Sequence, residues 1–391
     1  MAEVRPFEIS VDESVLDQIR SRVAAYRWFP APEAGGDWQF GMSTPAMKDL
    51  QAYWLEQYDW REAEKALNAW PHFKAEIDGL DIHFLHIVGE AEGKRPLLLT
   101  HGWPGSFYEF YDVIGPLAYP SQHGGKAEDA FDLVIPSLPG YGFSGKPASP
   151  LGQRATAKLF NTLMRDALGY DTYLAQGGDW GSMVTSWLGF DHAAGSGDGA
   201  CRAIHLNMMA MRPNPALPQS DEEKSWLASS QAAMQAEGAY LMQQATKPQT
   251  LAMALMDSPM GTAAWIIEKF HGWSDQTRGE LFDIFSRDQL LTNVMIYLVN
   301  DAIATSVWYY AAFFMEGGAV LPEGARIEVP TGFANYPGET YIAAPPRSWA
   351  ERAYNITYWS DMREGGHFAA MEVPDLFTED VRQWARTLGR T

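Results

Sequence analysis

The chain has 391 residues, 46% of them hydrophobic and 20% charged, which at about 150 residues per domain allows two to three folding units and excludes a disordered chain. Its 29 Lys+Arg against 49 Asp+Glu leave a formal charge of −20, a balance that repels phosphate and anionic lipid and argues against a nucleic-acid partner. The single cysteine, Cys201, excludes an intrachain disulfide and a CxxC metal site.

The opening residues, MAEVRPFEISVDESVLDQIR, are acidic where an export signal needs a basic start and an apolar run. The longest apolar stretch, Val307 to Met315, is about half of a membrane span. The expectation is a soluble, cytoplasmic protein with no membrane partner. Val15 to Arg27 and Thr44 to Leu67 carry helical apolar spacing, with Ser43 and Thr44 as candidate caps. FKAEIDGLDIHFLHIVG then places two β-rich runs around Asp78-Gly79, a hairpin signal.

Buried strands are predicted at Arg95-PLLLT, Phe131-DLVIP, Thr172-YLAQ and Ala203-IHLNMM, with a helical stretch over Arg154 to Leu168. Such alternation reads as an α/β fold with a mostly parallel sheet covered on both faces. The rhythm breaks at MRPNPALPQS, and from Asp221 to about Met315 the pattern is helical and rich in Met, Ala, Trp and Tyr. Strands return at Ala325-RIEVP and Asn355-ITYWSDM, and Glu379 to Leu388 closes the chain as an amphipathic helix. The chain thus divides into an N-terminal helical and hairpin extension (1–95), an α/β core in two pieces (96–212 and 323–391) and an inserted helical lid (213–322). Aromatic residues make up 13%, including 15 tryptophans, which predicts large, stiff apolar walls.

Chemistry concentrates in three loops. In LAQGGDWGSM, small residues flank Asp179 between a strand and a helix, the spacing of a strained nucleophile elbow with a helix N-terminus beneath it. A carboxylate there would form an uphill anhydride with an acyl substrate, but it can displace a leaving group from saturated carbon and form an ester that water hydrolyses. Ser182 falls one position too late to be the nucleophile, which argues against an esterase or lipase. HGWPG at 101–105 follows an earlier strand, so the backbone N–H groups of Trp103 and Trp180 are the expected oxyanion donors. Glu364-Gly-Gly-His367-Phe368 lies after the last strand and makes His367 the expected base. The acid that orients it is sought among Glu323, Glu328, Glu339, Asp361 and Glu364; Glu339, in NYPGETY, sits on a loop able to reach the histidine. Gly140-Tyr-Gly142-Phe-Ser-Gly145 matches a dinucleotide-binding spacing but runs into prolines instead of a helix. His83, His86, His123, His192, His205 and His271 have no metal-ligand spacing, so no metal or organic cofactor is expected.

With these residues assembled, the chain resembles epoxide hydrolases of the microsomal type within the α/β-hydrolase superfamily. The resemblance rests on Tyr58-Asp-Trp-Arg61 and IDGLDIHFLHI near the start, and on HGWPGSFYEF, PSLPGYGFS, GGDWGS, TKPQTLAMALMDSP and EGGHFAAMEVP. It implies opening of a small, mainly apolar epoxide to a vicinal diol with water as co-substrate. It further implies two proton-donating lid tyrosines, matched by Tyr240 in EGAYLMQQATKP and by Tyr310 near the end of LLTNVMIYLVNDAIATSVWYY. Tyr309 is adjacent, and alanines stand where charged residues often follow the family tyrosine. A haloalkane dehalogenase shares the Asp elbow and is the alternative reaction; a ligand-binding relative of the fold would have a broken triad. Self-association into a homo-oligomer stays open.

Overall fold

The computed structural model describes residues 3–32, 38–90 and 95–389. Nine strands form one sheet: β1 (Val4–Phe7), β2 (His72–Ile77), β3 (Leu80–Ile87), β4 (Arg95–Thr100), β5 (Phe131–Pro136), β6 (Tyr173–Gly177), β7 (Cys201–Leu206), β8 (Ile327–Asn335) and β9 (Tyr354–Asp361). Their order is β1-β2-β3-β5-β4-β6-β7-β8-β9. The first four are joined antiparallel, and β5 through β9 run parallel. The hairpin closes at Asp78 (φ 50°) and Gly79 (φ 78°), both left-handed, as a two-residue turn of that twist requires. Its register pairs Ile77 with Leu80, and Phe84 then pairs with Pro136 of the core, so the extension continues the core sheet.

The central parallel strands β4, β5 and β6 are buried along most of their length because helices cover both faces. These are α4 (Tyr111–Ala118), α5 (Gln153–Thr162), α6 (Asp179–Asp191), α15 (Arg347–Ala353), α16 (Ala369–Glu372) and α17 (Pro374–Thr387). Between β7 and β8 the chain leaves the sheet and builds a lid from α7 (Asp221–Glu237), α8 (Ala239–Thr246), α9 (Pro248–Asp257), α10 (Pro259–Trp273), α11 (Leu281–Ile284), α12 (Arg287–Leu298), α13 (Ala302–Ser306) and α14 (Trp308–Met315). Among the described residues no single helix is long and apolar enough to cross a membrane.

Two local expectations need correction. The stretch Thr44 to Leu67 is two helices, α2 (Thr44–Glu56) and α3 (Trp60–Leu67); Asp59 is extended and caps α3 by accepting from Arg61 N, the local bond that competes with helix continuation. The last helix begins at Pro374, five residues before the expected start at Glu379. β1 has no counterpart in the sequence reading, since VRPF is four residues long and its proline weakens a strand signal.

The N-terminal helices reach the lid. Tyr53 Oη donates to Asp288 at 3.0 Å, Tyr58 Oη bonds Thr292 Oγ1 at 3.2 Å, and Arg287 pairs with Asp49 at 2.6 Å. From α1 (Glu13–Ala24), Arg22 donates to the Asp257 carbonyl at 2.9 Å. The extension therefore buttresses both the sheet and the lid.

Candidate active site

Loops leaving the carboxyl ends of β4, β6, β8 and β9 converge under the lid, the place where open α/β sheets bind ligands. Strands β4 and β6 are neighbours, which brings HGWPG beside the GGDWGS turn. That turn is tight: a Cβ on Gly181 would lie 1.8 Å from the Thr100 carbonyl oxygen, so only glycine lets α6 start this close to β4. Asp179 opens the helix with φ 46°, a left-handed conformation uncommon for a residue with a side chain and found at strained functional turns.

The Asp179 carboxylate is held from two sides. Trp103 N–H donates to Oδ1 at 2.7 Å, and His367 Nε2 lies 3.4 Å from Oδ2. Trp180 is the second residue of α6, so its N–H has no intrahelical acceptor. Ser182 Oγ instead donates to the Asp179 carbonyl at 2.7 Å, which occupies the hydroxyl with the backbone. His101 is also committed to structure: its ring bonds Gly102 O at 3.0 Å and Leu138 N at 3.2 Å, and burial lowers its pKa to about 4.

His367 Nδ1 meets Glu339 Oε2 in a very short hydrogen bond, and Glu339 Oε1 accepts from Ile342 N at 3.0 Å. With Nδ1–H donated to Glu339, Nε2 is left facing Asp179. Of the other four carboxylates weighed, Asp361 is taken by Asn335 and Trp359, and Glu364 pairs with Arg278 and Arg363. Glu323 and Glu328 are exposed. Burial works against protonation of His367, but the charges of Glu339 and Asp179 outweigh it and hold its pKa well above the ordinary histidine value.

The lid supplies two phenols. Tyr240, on α8, stacks over Trp103 with centroids 5.4 Å apart and planes 11° off parallel. Tyr310, on α14, stands edge-on to Trp180 at 4.7 Å and to Trp103 at 5.8 Å; the two tyrosine rings are 5.8 Å apart. Burial, aided by neighbouring phenols and the Asp179 charge, raises both well above 10. The Tyr310 hydroxyl is buried with no hydrogen-bond partner of good geometry among the described residues. Tyr309 differs: its hydroxyl donates to Thr156 Oγ1 at 2.7 Å, away from Asp179.

Several neighbours escaped the sequence reading. Trp273, the last residue of α10, packs against His367 at 4.9 Å and lies parallel to Tyr341 at 5.2 Å; nothing local separates these rings from ordinary core aromatics. Glu109 lies in HGWPGSFYEF, and burial raises its carboxyl to about 8. The GYGFSG segment is a junction: Gly145 N bonds Asp81 O of the hairpin at 2.6 Å, and Asn300 Nδ2 and Thr305 Oγ1 of the lid bond Gly142 O and Gly140 O. Among the described residues no cluster of three or more His, Cys, Asp or Glu side chains gathers as a metal set.

Comparison with known proteins identifies the family of the chain. Residues 4–110 match the family model described as epoxide hydrolase N terminus, and residues 95–296 match that of the alpha/beta hydrolase fold. A relative from Stigmatella aurantiaca is 42% identical over 98% of this chain and 85% of its own length. Epoxide hydrolase 1 of Sus scrofa is 34% identical over 97% of this chain and 88% of its own. Among solved structures, the Bombyx mori juvenile hormone epoxide hydrolase superposes with a TM-score of 0.87 at 32% identity, covering 99% of this chain and 96% of that one. The Aspergillus niger epoxide hydrolase gives 0.83 at 32% identity, covering 98% and 96%. Relatives 34% to 42% identical over 97% to 98% of its length, together with this N-terminal module, show that the chain belongs to the epoxide hydrolase family of the α/β-hydrolase fold.

Proposed function

We propose that this epoxide hydrolase works through a covalent ester on Asp179. The observation that carries the reading is the asymmetry of that carboxylate. Oδ1 is held by the Trp103 amide at 2.7 Å, and Oδ2 faces His367 beneath the phenols of Tyr240 and Tyr310. Oδ2 attacks a ring carbon, the C–O bond of the epoxide breaks, and the ring oxygen takes a proton from a phenol. Ester formation removes the Asp179 charge that helps to hold the proton on His367, and the imidazolium passes that proton to the phenolate. His367 is then a neutral base, oriented by Glu339.

Water next attacks Cγ of the ester and gives a proton to His367 Nε2. The oxyanion forms on Oδ1, against the amides of Trp103 and Trp180. Collapse breaks the bond between Cγ and the alkyl oxygen, and the departing alkoxide takes the proton of the new carboxyl group. A vicinal diol leaves, with Asp179 ionised and His367 protonated again. Walls of Trp103, Trp180, Trp273 and Tyr341 fit a small, mainly apolar epoxide.

The buried indole N–H groups of Trp103 and Trp180 have no hydrogen-bond partner among the described residues, which favours halide displacement as the second reading. A panel of styrene, terpene and aliphatic epoxides assayed for diol, alongside haloalkanes assayed for halide, separates the two. Diol formation that disappears in Asp179→Asn is expected; halide release without diol would overturn the epoxide reading.

A further inference from the structure

The lid and the His367 loop hold each other through two buried carboxylates, Asp275 and Glu372. Asp275 follows α10 in the lid, and its Oδ2 accepts from Gly365 N of the histidine loop at 2.9 Å. Glu372 ends α16, and its Oε2 accepts from Asp275 N at 2.8 Å while Oε1 accepts from Phe368 N at 2.9 Å. Between them, His367 N donates to the Trp273 carbonyl at 3.0 Å. Arg278 closes the outer edge, donating to the Glu372 carbonyl and pairing with Glu364 at 3.3 Å.

The contact is too close for side chains. A Cβ on Gly366 would lie 2.8 Å from both Asp275 N and Trp273 O, and one on Gly338, beside Glu339, would lie 2.6 Å from Asp275 Cβ. The lid segment Trp273–Asp275 is thus wedged against both loops that carry the His–Glu pair. Burial raises the Glu372 carboxyl to about 7 even though two N–H donors, His367 and Arg278 pull it down. A buried acid in such a place costs folding energy, and its two N–H bonds are the compensation.

We propose that Asp275 and Glu372 are positioning residues, a reciprocal clasp that seats the lid on the His367 loop and sets the imidazole for ester hydrolysis. The proposal rests on the covalent mechanism above. In that mechanism His367 acts as base only in the second half-reaction, so a loosened clasp slows ester breakdown and spares ester formation. A destabilised fold would instead lower both.

The test is rapid-quench kinetics on the full chain with styrene oxide, following the Asp179 ester by intact-protein mass in the wild type, Glu372→Gln and Asp275→Asn. An amide keeps the shape but turns an N–H donor towards an N–H group: at Glu372 that of Asp275 or Phe368, and at Asp275 that of Gly365 or of Thr277, whose N–H Asp275 Oδ1 accepts at 3.1 Å. Ester decay is expected to slow by about 10- to 100-fold, with ester formation and kcat/KM within about 2-fold of wild type. Accumulated ester would then lower kcat and KM together. Equal slowing of both half-reactions, or decay within about 2-fold of wild type in both variants, would overturn the clasp. Should Glu372→Gln fail to fold, Asp275→Asn reads the same two rates. A wild-type chain that makes diol with no ester at all would instead overturn the covalent mechanism, and the clasp's role with it.

Discussion

In the proposed mechanism two phenols and an imidazole divide the proton traffic around Asp179, and their different surroundings suit them to different roles. Burial holds the phenols of Tyr240 and Tyr310 well above the ordinary tyrosine pKa, which suits them to the proposed role of donors to a developing alkoxide. Removing one such donor costs about 10²- to 10³-fold in kcat; Tyr240→Phe and Tyr310→Phe are each expected to lose that much in epoxide opening, and the double variant to be inactive. Tyr309→Phe is the control. It loses a buried hydrogen bond to Thr156, worth about 1 kcal/mol of stability, and should keep nearly all its activity. Thermal melts and initial rates on the four variants check this, and a Tyr309→Phe enzyme as impaired as Tyr310→Phe would reverse the assignment.

The second residue-level test concerns Glu339. Its charge raises the pKa of His367, so Glu339→Gln removes a source of that rise. In the proposed mechanism the base is the neutral imidazole, lost as pH falls through its pKa. The acid limb of the ester-hydrolysis profile is therefore expected to move to lower pH in Glu339→Gln. The plateau rate should fall by about 10²- to 10⁴-fold as the imidazole loses its orientation. A limb that stays put, or moves up, would mean that Glu339 does not set the histidine.

At the scale of elements, the site is a meeting of loops that helices hold in register. The loop after β4 is fastened from the lid by α12: Asn293 Nδ2 donates to Pro104 O at 2.8 Å, Ser106 Oγ donates to Asn293 Oδ1 at 2.9 Å, and Tyr297 Oη donates to Gly105 O at 2.5 Å. Asn293→Ala strips partners from two buried polar groups, each costing about 1–3 kcal/mol. A lowered melting temperature is expected, together with weaker oxyanion stabilisation, because Trp103 sits in that loop. Unchanged stability and activity would show the loop to be held by β4 alone. How far elements were legible depended on how local their causes are. The Asp78-Gly79 hairpin is written in two residues and forms at those residues. The break at Asp59 is also local, since Asp before a helical run is a cap signal, but continuous apolar spacing masked it. β1 exists only because β2 offers an edge, and no four-residue window carries that information.

Over the whole molecule, the same rule of locality sorts the site. Asp179 is legible because an elbow needs small residues around one functional side chain, and Gly181 meets that need at 1.8 Å from Thr100 O. His367 and Glu339 follow from strand order, as both lie beyond the last two parallel strands. The phenols emerge only by resemblance, because a tyrosine on a helix of apolar neighbours looks like core until the lid is folded down on Asp179. Trp273, Asp275 and Glu372 carry no local mark, and their partners lie about 90 residues away in sequence. Part of the aromatic excess packs beside Asp179, where Trp103 touches Tyr240 and Trp273, Trp180 touches Tyr310, and Trp273 touches His367.

The covalent role of Asp179 is the claim on which the rest depends, and a single turnover in ¹⁸O-labelled water tests it most directly. With enzyme in excess over styrene oxide, water attacks the ester carbonyl, so label is expected in the Asp179 peptide while the first diol carries unlabelled oxygen from the protein. Label in the diol, with none in the Asp179 peptide, would mean that water opens the ring directly and would contradict the account.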